Sequence, residues 1–133
     1  MLSIKSTLLT LALSTAALAG VKCDGDGLQA YNDQLQQCID ELHSRGQELC
    51  TVPGGQLNMG FVHIGTAMIT GMHNGDNTEQ DQSSWCSHIA DAAQDVLDEC
   101  GKDKDTAAGS KEAYGNGNIL VNLIYRAEDG PDT

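Results

Sequence analysis

The chain has 133 residues, with 19 Asp and Glu against 7 Lys and Arg, a net charge of −12, five cysteines and one tryptophan. A surface this acidic repels phosphate backbones and anionic lipid, which argues against nucleic-acid binding and polybasic attachment to a membrane. No run is long and apolar enough for the ~20 residues that a spanning helix needs, which argues against stable membrane insertion.

Residues 1–19 read as a secretory signal peptide. Lys5 lies near the start, an apolar run covers Leu8 to Leu13, and Ala17-Leu18-Ala19 forms a small-residue cleavage site. The expected product is a secreted, extracellular single domain over residues 20–133, with six basic and nineteen acidic residues and a charge of −13. All five cysteines fall in this part, so an oxidising compartment would join them as a disulfide framework. Their odd number leaves either one free thiol or one bond between molecules. No Asn-x-Ser/Thr acceptor for glycosylation occurs.

Asp24-Gly25-Asp26-Gly27 forms a turn cluster whose aspartates can cap a helix beginning just after it. Leu28, Tyr31, Leu35, Ile39 and Leu42 then trace one apolar stripe, which predicts a first helix ending before Gly46, with Cys38 on its buried side. Gln47 to Val52 is short and strand-like and is turned by Pro53-Gly54-Gly55. The run Leu57 to Thr70 alternates, with Leu57, Met59, Phe61 and His63 on one face, and predicts a strand. Gly71 to Ser84 has neither periodicity nor bulk and reads as an exposed loop.

Trp85, Ile89, Ala92, Ala93, Val96 and Cys100 recur on one face of a second, buried helix. Cys86 and Cys100 sit at opposite ends of it, roughly 21 Å apart at ~1.5 Å per residue, so each must bond a different part of the chain. Lys102 to Asn118 is a second polar stretch. Ile119 to Tyr125 is the most strand-like run, apolar on both faces except at Asn122, and predicts a central strand. The tail Ala127 to Thr133 is expected to fray.

This order predicts an α+β fold, a two-layer α/β sandwich of split βαβ type with an antiparallel sheet and two helices on one face. Antiparallel helices bring Cys23 to Cys100 and Cys38 to Cys86, leaving Cys50 unpaired and available for a homodimer. A bond between Cys38 and Cys50 is the competing arrangement.

Several pieces together resemble the small secreted fungal killer toxins of the smut KP-four type, with KP-six-like effectors as a close alternative. They are Gly20-Val21-Lys22-Cys23, Gly46-Gln47-Glu48-Leu49-Cys50, the helix from Cys86 to Cys100-Gly101, and Gly115 to Tyr125. The resemblance implies a secreted, non-catalytic α/β sandwich acting on host or competing cells, for family toxins by blocking calcium channels. The chain lacks a second cysteine just after Cys100 and one in the tail, and that missing tail cysteine would also leave Cys50 without a partner. Where basic channel blockers carry Lys or Arg, this chain has Glu48 and Leu49.

The remaining polar residues carry few chemical signatures. His43, His63, His73 and His88 lack the i, i+4 spacing of a helical zinc protease, and Asp76-Asn77-Thr78-Glu79 lacks the ligand alternation of a calcium loop. No cofactor or metal site and no catalytic residue is therefore expected. Asp91, Asp95 and Asp98 project along the second helix and supply the alternative, a small hydrolase with two of these carboxylates as acid and base. The primary expectation is binding to a target on host or competing cells through the two polar loops.

Overall fold

The computed structural model describes residues 20–127. The expected signal peptide and all but the first residue of the expected frayed tail lie outside them. The elements are β1 (Lys22–Cys23), β2 (Ala30–Tyr31), α1 (Asn32–Ser44), β3 (Leu49–Val52), β4 (Asn58–Ile64), β5 (Ala67–His73), β6 (Gln82–Trp85), α2 (Cys86–Cys100), β7 (Thr106–Ala107), β8 (Gly109–Ala113) and β9 (Asn116–Tyr125). Five strands form an antiparallel sheet in the order β1-β8-β9-β5-β4, and β2 with β7 and β3 with β6 form two short antiparallel ribbons.

Both helices arise from apolar residues at three- and four-residue intervals. In α1 these are Leu35, Cys38, Ile39 and Leu42, and in α2 they include Ile89, Ala93, Val96 and Cys100. The helices pack side by side over the sheet, α1 against β4 and β5 and α2 against β8 and β9. Ala67, Ile69, Ile119, Val121 and Leu123 meet them from below and are fully buried. Burial of each larger side chain contributes about 1.5–3 kcal/mol. The result is the disulfide-stapled two-layer α+β sandwich with both helices on one face.

Among the described residues no helix covers the opposite sheet face. Met68, Met72, Leu120 and Ile124 lie on it beside Thr70 and Asn122. Met68 is nonetheless almost fully buried, because its thioether folds over Gly60 on the neighbouring strand, where any Cβ would collide with it. The sheet thus covers part of its own outer face with a flexible side chain.

Four local expectations are corrected, the first being the exposed loop from Gly71 to Ser84, whose ends belong to β5 and β6. Leu28 and Tyr31 precede α1 and are exposed, so the buried stripe begins at Leu35. The alternating run from Leu57 is two strands, folded back at Gly65 (φ 59°) and with its alternation reset by a bulge between Gly60 and Val62. The polar stretch after Gly101 contains β8, which pairs with β1 on one side and β9 on the other. Its first residue, Gly109, is a close-approach glycine: a Cβ there would lie 2.9 Å from both Cys100 Sγ and Val96 Cγ1.

The cysteine pairing differs from expectation in one of its two bonds, with Cys38 and Cys50 exchanging roles. Cys23 bonds Cys100, but Cys86 bonds Cys50, and Cys38 is the free, buried cysteine. The α1–β3 turn returns directly to the start of α2, where Glu48 O and Gly46 O accept from the Cys86 and Ser87 amides, and β3 lies beside β6. Cys50 and Cys86 are thereby placed with Cα atoms 5.1 Å apart. Cys38 lies about 9 Å further up the α1 axis, at ~1.5 Å per residue, and points its Sγ at Ala67 O of β5. Cys50 is consequently not available for a bond between molecules.

Candidate interaction surface

The β3–β6 ribbon alternates in the ordinary strand manner. Cys50 and Ser84 face inward as a pair, so their neighbours Leu49 and Trp85 pair on the outward face. Leu49 is 61% exposed and Trp85 41% exposed. Trp85 is therefore not part of the buried helix stripe, as its spacing suggested. It is the N-cap residue of α2, one position ahead of the helix and turned out of its phase.

Further along α2, His88, Asp91 and Asp95 follow at helical spacing on one flank. The His88 ring lies 5.0 Å from the Trp85 ring, centroid to centroid. It also lies against Gly115 of the β8–β9 turn, where a Cβ would meet its Nδ1 at 2.8 Å. That turn is tied down by Ser84, whose hydroxyl donates to Tyr114 O at 2.8 Å. Tyr114 is 43% exposed, and its hydroxyl donates to Asp95. Leu49, Trp85, His88, Tyr114, Asp95 and Asp91 thus form one continuous strip, apolar at the ribbon end and acidic along the helix.

Two shallow depressions run along this strip. One of about 220 Å³ lies between Leu49, Trp85, His88 and Gly115. The other, of about 330 Å³, lies between His43, Asp91, Asp95 and Tyr114. The Cys50–Cys86 disulfide joins the residues that follow Leu49 and Trp85 and so ties this end of the strip covalently.

Asp91 and Asp95 are each engaged separately. His43 Nε2 lies 2.8 Å from Asp91 Oδ1. Asp95 forms an ion pair with Lys111, whose Nζ also donates to Tyr114 Oη at 2.8 Å and lies 4.6 Å from that ring's centroid. Partial burial opposes ionisation of Asp95, but hydrogen bonds from Lys111 and Tyr114 and the Lys111 charge outweigh it, holding its carboxyl below the usual carboxylate range. Burial likewise opposes the Lys111 charge, and the bonds to Asp95 and Tyr114 outweigh that, raising its pKa. Asp98 accepts from Gln94 Nε2 at 2.9 Å. The three aspartates considered for a hydrolase have three different partners, and Asp91 and Asp95 line the same depression while Asp98 does not.

The remaining histidines stand elsewhere. His73 Nε2 lies 2.9 Å from Pro53 O, and His63 lies on the edge strand β4. Among the described residues no three His, Cys, Asp or Glu side chains are grouped to hold a metal ion.

Residues 18–125 match a protein family described as a domain of unknown function, DUF8794. The chain belongs to that family. The match reaches from just before the first described residue to the last residue of β9, so in this DUF8794 member it takes in both disulfides and the whole exposed strip. No curated protein matches the chain.

The sequence conceals the strip because Trp85 falls in phase with the apolar face of α2. The signal that could have found it is the alternation around the cysteines. A disulfide-bonded, inward-facing Cys50 turns Leu49 outward, and a buried Cys86 opening the helix leaves Trp85 outside it.

Proposed function

We propose that the protein is a secreted, non-enzymatic binding protein of the killer-toxin-like or effector kind, acting on host or competing cells through the strip from Leu49 to Asp95. The observation that carries this reading is the exposure of the chain's single tryptophan beside Leu49 and Tyr114, on a ribbon stapled by a disulfide. Exposed aromatic residues on a rigid base are the usual anchors of protein–protein contacts, because they bury large areas with little loss of side-chain freedom. The polar loops remain outside this reading, since the exposed apolar side chains of the strip lie on the ribbon, the helix flank and the β8–β9 turn.

Asp91 and Asp95, which line one depression with His43, keep hydrolysis as the competing reading. The test is saturable binding of the fluorescently labelled mature chain to cells of candidate hosts and competitors. Binding that is lost in the Trp85→Ala/Tyr114→Ala variant, while the Asp91→Asn/Asp95→Asn/Asp98→Asn variant shows no lost hydrolytic activity, supports the reading. Absence of saturable binding on every cell type, or a hydrolytic activity abolished by the triple variant, overturns it.

A further inference from the structure

We infer that the strip takes a Lys- or Arg-bearing segment of a partner protein, an inference that rests on the strip being the binding surface. The charge pattern selects this occupant. Glu48 is exposed one residue before Leu49, and Asp91 is exposed on the helix flank with its Oδ1 held by His43. The cation built into the strip, Lys111, is already neutralised by Asp95 and donates to the Tyr114 hydroxyl, with only 13% of its side chain exposed. The surface offered to a partner is thus aromatic and anionic together. Such a surface suits a guanidinium or ammonium group, whose charge is attracted by the carboxylates and by the ring faces while its aliphatic stem covers Leu49 and Trp85.

The chain's net charge of −12 reinforces the choice at long range, because it draws basic partners in and repels acidic ones before contact. Within the molecule Lys111 already shows a cation held between a tyrosine hydroxyl and a carboxylate, those of Tyr114 and Asp95. An incoming Arg beside Trp85 and Asp91 would likewise meet a carboxylate.

Trp85 is the single tryptophan and lies within the strip, so its emission reports occupancy directly. The probe is a soluble peptide of alternating Arg and Gly, titrated into the mature chain against a Glu-Gly peptide of equal length. The expected result is a saturable change in Trp85 emission with the Arg peptide alone, weakened roughly tenfold by raising salt well above the physiological range. The Glu48→Gln/Asp91→Asn variant should weaken it by a further several-fold with an unchanged unfolding midpoint.

Equal responses to both peptides, or a response insensitive to salt and to the carboxamide variant, overturn the inference. Cell binding separates this failure from that of the broader reading. If Trp85→Ala abolishes cell binding but the Arg peptide does not compete for it, the strip binds and its partner is not basic. If Trp85→Ala leaves cell binding intact, the strip is not the binding surface and both fail.

Discussion

Gly109 backs directly onto Cys100, so closely that a methyl group on Gly109 would lie 2.9 Å from the Cys100 sulfur. The same methyl would lie 2.9 Å from Val96 Cγ1 and 2.5 Å from Lys22 O. Three elements, β1, α2 and β8, converge there around the Cys23–Cys100 bond. Gly109→Ala should therefore destabilise the fold by about 1–3 kcal/mol through overpacking, read as a lower urea midpoint with unchanged slope. A midpoint equal to that of the parent would show that the neighbours can give way.

Cys38 should be the one cysteine that alkylates, and only after unfolding. It is fully buried, and burial pushes its thiol from the ordinary 9.0 up to about 11, against a smaller opposite effect of the Ile64 backbone hydrogen bond. The unfolded thiol ionises first, so stability is intact below pH 9 and falls between about pH 9 and 11, by about 1.4 kcal/mol per pH unit. Denaturation midpoints across that window should show this slope in the parent, and Cys38→Ala should lack it. Labelling of Cys50 instead, found by peptide mass mapping, would refute the pairing.

Removing the Cys50–Cys86 bond by Cys50→Ala/Cys86→Ala should cost about 2–4 kcal/mol. It should also loosen the Leu49–Trp85 pair, seen as faster amide exchange along β3 and β6 while β5 and β9 keep their protection. Equal exchange in all four strands would mean that the ribbon holds its place without the bond.

Asp95 and Lys111 should behave as a coupled pair. Asp95→Asn and Lys111→Met should each cost at most about 1 kcal/mol, since the Asp95 side chain is 38% exposed, and the double variant should cost less than their sum. The contribution of Asp95, whose pKa is depressed, is present above its ordinary 3.8 and is lost as pH falls through the lower folded value. That of Lys111, whose pKa is raised, is present below 10.5 and is lost as pH rises through the higher folded value. Strict additivity of the two substitutions would show that the pair is not coupled.

Trp85→Ala, at a part-exposed residue, should cost clearly less than Ile89→Ala, which, four residues on and fully buried, should cost about 2–5 kcal/mol. Similar losses for both would place Trp85 in the core after all.

These contrasts mark what the sequence discloses. The helices were legible because Leu35, Ile39 and Leu42, and Ile89, Val96 and Cys100, repeat their spacing locally. So was β9, whose apolar run reads as a central strand and lies between β8 and β5, with Ile119, Val121 and Leu123 on its buried face. β8 was not legible, because Gly109, Lys111 and Glu112 have no strand character of their own and become a strand only by pairing with β9 and β1. The bond to Cys86 depended on where the chain returns after α1. Cys38 and Cys50 both lie near that return, and only the backbone bonds from Cys86 and Ser87 to Glu48 and Gly46 decide between them. Within the strip, Asp91 and Asp95 were singled out for their spacing. Trp85 was placed on the wrong side because a residue one step ahead of a helix can match its phase without sharing its face.

The Cys23–Cys100 bond also sets how the molecule would bear mechanical load. Tension applied between residues 20 and 127 passes through sulfur from one cysteine to the other, which are separated by 77 positions along the chain. α1, the β3–β6 ribbon and the β4–β5 hairpin lie inside that covalent bypass. Under pulling, β7, β8 and β9 would peel away first, while the shunted segment could lengthen only if the bond were reduced.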